Sequence, residues 1–137
     1  MVCYQVNQKN VMKNIINTNT APSPIGPYSQ AIKAGNFLYV SGQIALNAET
    51  SEIETETVEM ETNRVMLNLK EILLAAGYDF SHVIKSSIFL SDMNLFAKVN
   101  EIYGGYFESD FPARETVAVL GLPKGVNVEI SVIAYKE

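Results

Sequence analysis

The sequence holds 137 residues, 47% apolar and 18% charged, with a formal net charge of −5. That is enough chain for one self-supporting domain and too ordinary a composition for a disordered one. The acidic balance disfavours nucleic acid as a partner, because that affinity rests on Lys and Arg. One cysteine, Cys3, closes no internal disulfide, and one histidine, His82, completes no zinc site. No apolar run reaches the ~20 residues of a membrane helix, and residues 1–16 lack the apolar core of a secretory signal, so a cytosolic protein without a membrane partner is expected.

In chain order, residues 1–16 are polar with little periodicity and read as an N-terminal extension, with Met12 as a second plausible start, ahead of a domain over 17–137. Ala21 to Tyr28 carries three prolines and a glycine, which marks a rigid loop ending in an aromatic. Ser29 to Lys33 and Phe37 to Ile44 read as a hairpin across Ala34-Gly35-Asn36, with Ser41-Gly42 interrupting its second strand as a bulge or a close approach. Apolar spacings of three and four over Glu56 to Ala76 predict a long amphipathic helix. The acidic run Glu52 to Glu61 reads as its solvated start rather than a metal cage.

Val83 to Leu90 has the length and β-branched content of a buried strand. Ser91-Asp92 then caps a second helix, whose stripe runs through Leu95, Phe96, Val99, Ile102, Tyr103, Tyr106 and Phe107, with Gly104-Gly105 as a flaw inside it. Phe111 to Val119 and Val126 to Ala134 close the chain as two strands joined by a turn. The β-β-α-β-α-β-β order implies an α+β fold, one mixed sheet with both helices on one face. Tyr39, Ser87, Phe89, Ala118, Val128 and Ile130 make the other face too apolar for solvent, so self-association is expected to cover it.

Two of the charges in the closing strands stand out. Arg114 opens the first and Glu129 sits inside the second. A charge in so apolar a setting needs a partner or a purpose. Arg is a fixed fork for a carboxylate or phosphate, and a Glu beside it can hold or deprotonate a water. The residues alone leave open an internal ion pair and a reactive site.

Ser23-Pro-Ile-Gly-Pro-Tyr28-Ser-Gln-Ala, Val40-Ser41-Gly42-Gln43-Ile, Val99-Asn100-Glu-Ile-Tyr103, Pro112-Ala-Arg114-Glu-Thr116-Val-Ala-Val and Leu122-Pro-Lys-Gly-Val-Asn-Val-Glu129-Ile-Ser-Val-Ile-Ala occur here in order. From about Asn17 to its end the chain resembles the RidA (YjgF-like) family. The resemblance implies a chorismate mutase-like fold and a homotrimer whose three sheets face a central barrel, with clefts between subunits. It also implies deamination of reactive 2-imino acids to 2-oxo acids and ammonia, with no metal or cofactor.

By the same resemblance Arg114 binds the substrate carboxylate, the backbone at Thr116 adds hydrogen bonds, Glu129 positions the attacking water and Tyr28 closes over the substrate. Ser41, Gly42 and Asn100 match positions lining that cleft. Many members carry cysteine where Thr116 stands, which takes a thiol nucleophile out of consideration here. Each residue also has a plainer reading. Tyr28 could staple its loop, Ser41 could be a satisfied strand hydroxyl, and Asn100 could bond to backbone. Tyr103, Tyr106 and Phe107 read as core. Two further functions compete, a trimeric module that binds small carboxylates without turnover, and the ribonuclease or translation-inhibitor activity implied by the label endoribonuclease L-PSP.

Overall fold

The computed structural model describes residues 12–137. Their strands are β1 (Asn14–Ile16), β2 (Ala31–Ala34), β3 (Phe37–Gln43), β4 (Val83–Leu90), β5 (Ala113–Ala118) and β6 (Val128–Tyr135), and their α-helices are α1 (Val58–Ala75) and α2 (Phe96–Gly104). All six strands join one mixed sheet in the order β1-β2-β3-β6-β4-β5. Asn14–Ile16, read from sequence as the end of an extension, form the edge strand that pairs with β2. Residues 1–11 of that extension, Cys3 among them, lie outside the described residues.

The hairpin β2-β3 turns at Gly35, whose φ of 60° a residue with a side chain rarely adopts. Thr57 caps α1 by accepting the Met60 amide. Val65, Met66, Leu69, Ile72 and Leu73 of α1 are fully buried. They meet Leu38 of β3 and Val128, Ile130, Val132 and Ala134 of β6 in one core. Asp92 caps a short 3-10 turn, Met93–Leu95, that leads into α2. The glycine pair is no interior flaw: α2 ends at Gly104 with Gly105 as its cap, so Tyr106 and Phe107 pack against the core from beyond the helix.

The closing strands differ from their sequence reading in one respect that matters. β5 and β6 are not neighbours. β6 runs antiparallel between β3 and β4, and β5 lies parallel to β4 on the far side. The apolar face is also composed differently. Val128 and Ile130 are fully buried under the helices, and Ala118 shares the helix-side parity of Arg114. The open face carries Tyr39, Ser87, Phe89, Glu129, Ser131, Ile133 and Tyr135, because successive side chains alternate across a strand.

Glu61 departs most from expectation. Assigned to a solvated helix start, it is fully buried and its carboxylate accepts from the Asn127 amide (2.6 Å), the Asn127 side-chain amide (2.9 Å) and the Val128 amide (3.0 Å). One side chain of α1 thereby fixes the entry of β6, two residues before Glu129.

Candidate functional site

β5 is an edge strand, and its pairing with β4 orients its backbone. The Val119 amide donates to Leu90 on β4. Alternation along a strand then turns the amide and carbonyl of Arg114 and Thr116 toward the open edge. The Thr116 side chain points to the helix face, where its hydroxyl is buried without a hydrogen-bond partner among the described residues. What this position offers a ligand is main chain.

The Arg114 side chain lies on that helix face, level with Ser86 of β4. Three residues of α2, at spacings of four and three, hold it. Asn100 Oδ1 accepts from Arg114 Nη1 at 2.5 Å, and the guanidinium carbon stands 5.6 Å from the Phe96 ring centre and 5.3 Å from that of Tyr103. Tyr103 is itself fixed, its hydroxyl donating to the buried Ser86 hydroxyl at 2.9 Å. Burial raises the Tyr103 pKa above its ordinary value, against a lowering from the Ser86 bond and the nearby Arg114 charge. Sequence reasoning assigned Tyr103 to core packing, and Phe96 to the apolar stripe. Both are also the seat of the guanidinium, and their spacing to Asn100 was the available signal. A cleft of about 650 Å³ opens here, between Asn100, Tyr103, Gly104, Phe111, Pro112 and Arg114.

Glu129, Gly42, Ser41 and Tyr28 gather elsewhere. Glu129 is level with Phe89 on the open face, against the strand segment that contains Gly42. Its carboxyl group is half-buried, and this burial raises its pKa above the ordinary Glu value near 4.5. The Ser41 hydroxyl donates to the Ser29 carbonyl at 2.6 Å, and the Ser41 amide donates to the Gln30 carbonyl at 3.0 Å. Ser41 thus fastens the proline-rich loop to β3, which is its plainer reading. Gln30, which sequence reasoning passed over, is buried and ties the same loop through the carbonyls of Thr18, Ala21 and Pro22. Tyr28 is half exposed at the loop's end and shares a hollow of only about 20 Å³ with Gly42.

The predicted site residues therefore fall into two groups on opposite faces of one sheet. Arg114, Asn100 and the Thr116 backbone form one, and Glu129, Gly42, Ser41 and Tyr28 the other. The internal ion pair between Arg114 and Glu129 does not exist. Among the described residues the bonding of Arg114 is to Asn100, and no charge contributes to the Glu129 shift. The reading of Glu129 as lying beside Arg114 fails for the same reason: β4 separates their strands.

Similarity to known proteins spans nearly the whole chain. The family model described as Endoribonuclease L-PSP matches residues 18–136. A RutC family protein of Pyrococcus horikoshii is 54% identical over 92% of this chain and 100% of its own length. The mouse protein named 2-iminobutanoate/2-iminopropanoate deaminase is 43% identical over 92% of this chain and 93% of its own. The crystal structure of E. coli TdcF with bound serine superposes with a TM-score of 0.88 at 38% identity, covering 91% of this chain and 100% of that one.

Proposed function

This chain belongs to the RidA/YjgF family, matched as Endoribonuclease L-PSP, and from that membership we propose that it hydrolyses small 2-imino acids to 2-oxo acids and ammonia in a site completed by two copies of itself. The observation that carries the reading is the division of Arg114 from Glu129 across the sheet, with the backbone edge of β5 open beside Arg114. A second subunit set against that edge brings its own Glu129, Gly42 and Tyr28 to the Arg114 cleft. It also covers the apolar open face. Three copies around a central barrel of sheets is the assembly proposed.

The chemistry follows from the groups present. Arg114 keeps donors beyond the one held by Asn100 and grips the substrate carboxylate through two parallel hydrogen bonds, worth about 1.5 to 3 kcal/mol where the cleft is partly dry. The outward amide and carbonyl of Thr116 meet the carboxylate and the imine N–H. The oxygen of a water then adds to the protonated imine carbon while the C=N electron pair moves to nitrogen, and Glu129 of the partner subunit takes the water's proton. In the resulting carbinolamine that proton passes from Glu129 to nitrogen, the C–N bond breaks with its electron pair going to nitrogen, and ammonia leaves as the hydroxyl gives its proton to the freed Glu129 carboxylate and its O–H electron pair forms the C=O bond. A carboxyl group whose pKa lies above the usual range is closer in strength to the groups it exchanges protons with, which suits both steps.

Support for the substrate class comes from the relatives named 2-iminobutanoate/2-iminopropanoate deaminase, in mouse, Dermatophagoides farinae and human, at 43%, 44% and 42% identity. The serine-bound relative supports a small amino acid-like ligand. The test generates 2-iminobutanoate in place with a threonine dehydratase, at a pH where its spontaneous hydrolysis is slow, and follows 2-oxobutanoate. Acceleration by the protein is expected. Binding of small carboxylates with no acceleration would leave a binding module in place of an enzyme.

A further inference from the structure

Gly42 has no conformational reason to be glycine. The glycines with positive φ among the described residues are Gly35, Gly77 and Gly125, and Gly42 is not among them. A bulge that requires glycine does so because one residue enters the left-handed region, and that requirement is absent here. What glycine supplies at this point is room. A Cβ built on Gly42 would collide with Glu129 Oε1, and would lie 2.8 Å from Glu129 Cδ and 3.0 Å from Cγ. The acidic side chain lies flat on bare backbone.

The strand beneath it is poorly placed to yield. Ser41 is fastened through its amide and its hydroxyl to the loop carbonyls of Gln30 and Ser29. The Gln43 side-chain amide donates back to the Ser41 carbonyl at 3.1 Å, and Gln43 itself is buried. This segment spans the register shift between Val40 and Gln43 in the pairing of β3 with β6, which brings Gly42 against Glu129. A methyl group at residue 42 would therefore displace the carboxyl group rather than the backbone.

We infer that Gly42 is a positioning residue: its missing side chain is the slot that holds the Glu129 carboxyl group in place for the reaction. The inference rests on the hydrolytic reading above and adds to it the device that sets the base. It replaces the expectation that Gly42 only lines the cleft. The slot also accounts for the environment of Glu129. On β4 its cross-strand neighbour is Phe89; Glu115 of β5, level with Ser87 and accepting from the Ser87 hydroxyl, is the charged group of that face two residues along, and Tyr39 of β3 and Lys85 of β4 are level with Ile133. Four residues of strand put these last two about 13 Å away. Tyr28 in the loop shares the Gly42 hollow. Within one chain burial sets the direction of the shift, and the Arg114 of another copy in the proposed assembly acts against it.

The experiment compares Gly42→Ala, Glu129→Asp and the double variant. Gly42→Ala is expected to lower kcat about 100-fold, the cost of a general base moved by about 1 Å, with KM held within about threefold because the carboxylate anchor lies on another copy. Asp is shorter by one methylene and vacates the space where the clash occurs. Glu129→Asp should therefore lower kcat in the native background and raise it in the Gly42→Ala background. Strictly multiplicative effects would overturn the slot, as would an unchanged kcat in Gly42→Ala.

A readout without substrate separates this inference from the proposed activity. NMR titration of glutamate labelled with 13C at Cδ, with Glu129→Gln to assign the signal, should show Glu129 titrating lower in Gly42→Ala than in the native protein. No change overturns the slot even if imines are hydrolysed, and a downward shift upholds it even if they are not. If Gly42→Ala does not fold, Gly42→Ala/Glu129→Ala decides. With the carboxyl group removed the methyl has space, so a folded double variant supports the slot and an unfolded one refutes it.

Discussion

Mixing two inactive variants puts the divided site to a quantitative test. Arg114 and Glu129 are on strands separated by β4, level with Ser86 and Phe89 respectively. Two strand spacings give about 10 Å across the sheet and three residues give about 10 Å along it, so their Cα atoms stand about 14 Å apart with side chains on opposite faces. No molecule the size of 2-iminobutanoate touches both within one chain. Arg114→Ala and Glu129→Ala should each be inactive alone. In oligomers assembled at random from equal amounts of both, a site has its Arg from one copy and its Glu from the next. Both are native in about one quarter of sites, whatever number of copies closes the ring. Coexpression under two tags, isolation of doubly tagged oligomers and the dehydratase-coupled assay would read it; in a ring of three this isolation discards the unmixed oligomers and raises the expected fraction to about one third, because each mixed trimer holds one native site. Doubly tagged oligomers as inactive as their parents would refute the shared site.

Three further outcomes are expected. Glu61→Ala leaves the Asn127 and Val128 amides without their acceptor under α1 and should cost about 3 to 4 kcal/mol, read by urea unfolding at fixed protein concentration. Thr116→Val removes a buried hydroxyl with no partner among the described residues and should stabilise the fold by about 1 kcal/mol; a fall in Tm would mean that the hydroxyl is bonded in the assembly. Glu129→Gln should raise Tm at neutral pH and lose that advantage in acid. The folded-state pKa of Glu129 lies above its unfolded value near 4.5, so the folded chain binds this proton more tightly. The stability it lends is complete below that value and lost as pH rises through the folded pKa, a loss the neutral amide does not suffer. A Tm difference independent of pH would contradict the assigned direction.

Local structure was legible wherever one period dominated. Val83–Leu90 was read to the residue, and Val58–Ala75 fell within the predicted Glu56 to Ala76, because an unbroken stripe of Val65, Met66, Leu69, Ile72 and Leu73 admits one face only. Strand order was not legible. β6 inserts between β3 and β4, a long-range pairing that leaves no mark on the spacing of its own residues. The same blindness assigned Val128 and Ile130 to the wrong face, since alternation defines two faces without saying which the helices cover. Gln30 and Glu61 were missed for a different reason. A buried polar side chain satisfied by backbone groups has the same letter as a solvated one, and the difference lies in partners 8 to 12 and about 66 residues away. The site residues were named through family motifs, and the motifs did not reveal that they divide between two faces.

The division also bears on the competing label of the family. RNA cleavage by attack of a ribose hydroxyl needs a base and an acid about one phosphate, with cations to hold that phosphate. The Arg114 cleft offers one cation among the side chains that line it, and its neighbour on α2 is Glu101, a charge of the wrong sign for a polyanion. The single histidine is spent elsewhere, its Nδ1 accepting the Asp79 amide at 3.0 Å ahead of β4. A lone, rigidly seated guanidinium suits a single planar carboxylate, and a carboxyl group raised in pKa by burial suits transfer of one proton to and from water. A nucleic acid ligand would have to draw its remaining cations from a chain whose formal net charge is −5. Imine hydrolysis asks for no group beyond the two half-sites the sheet already carries.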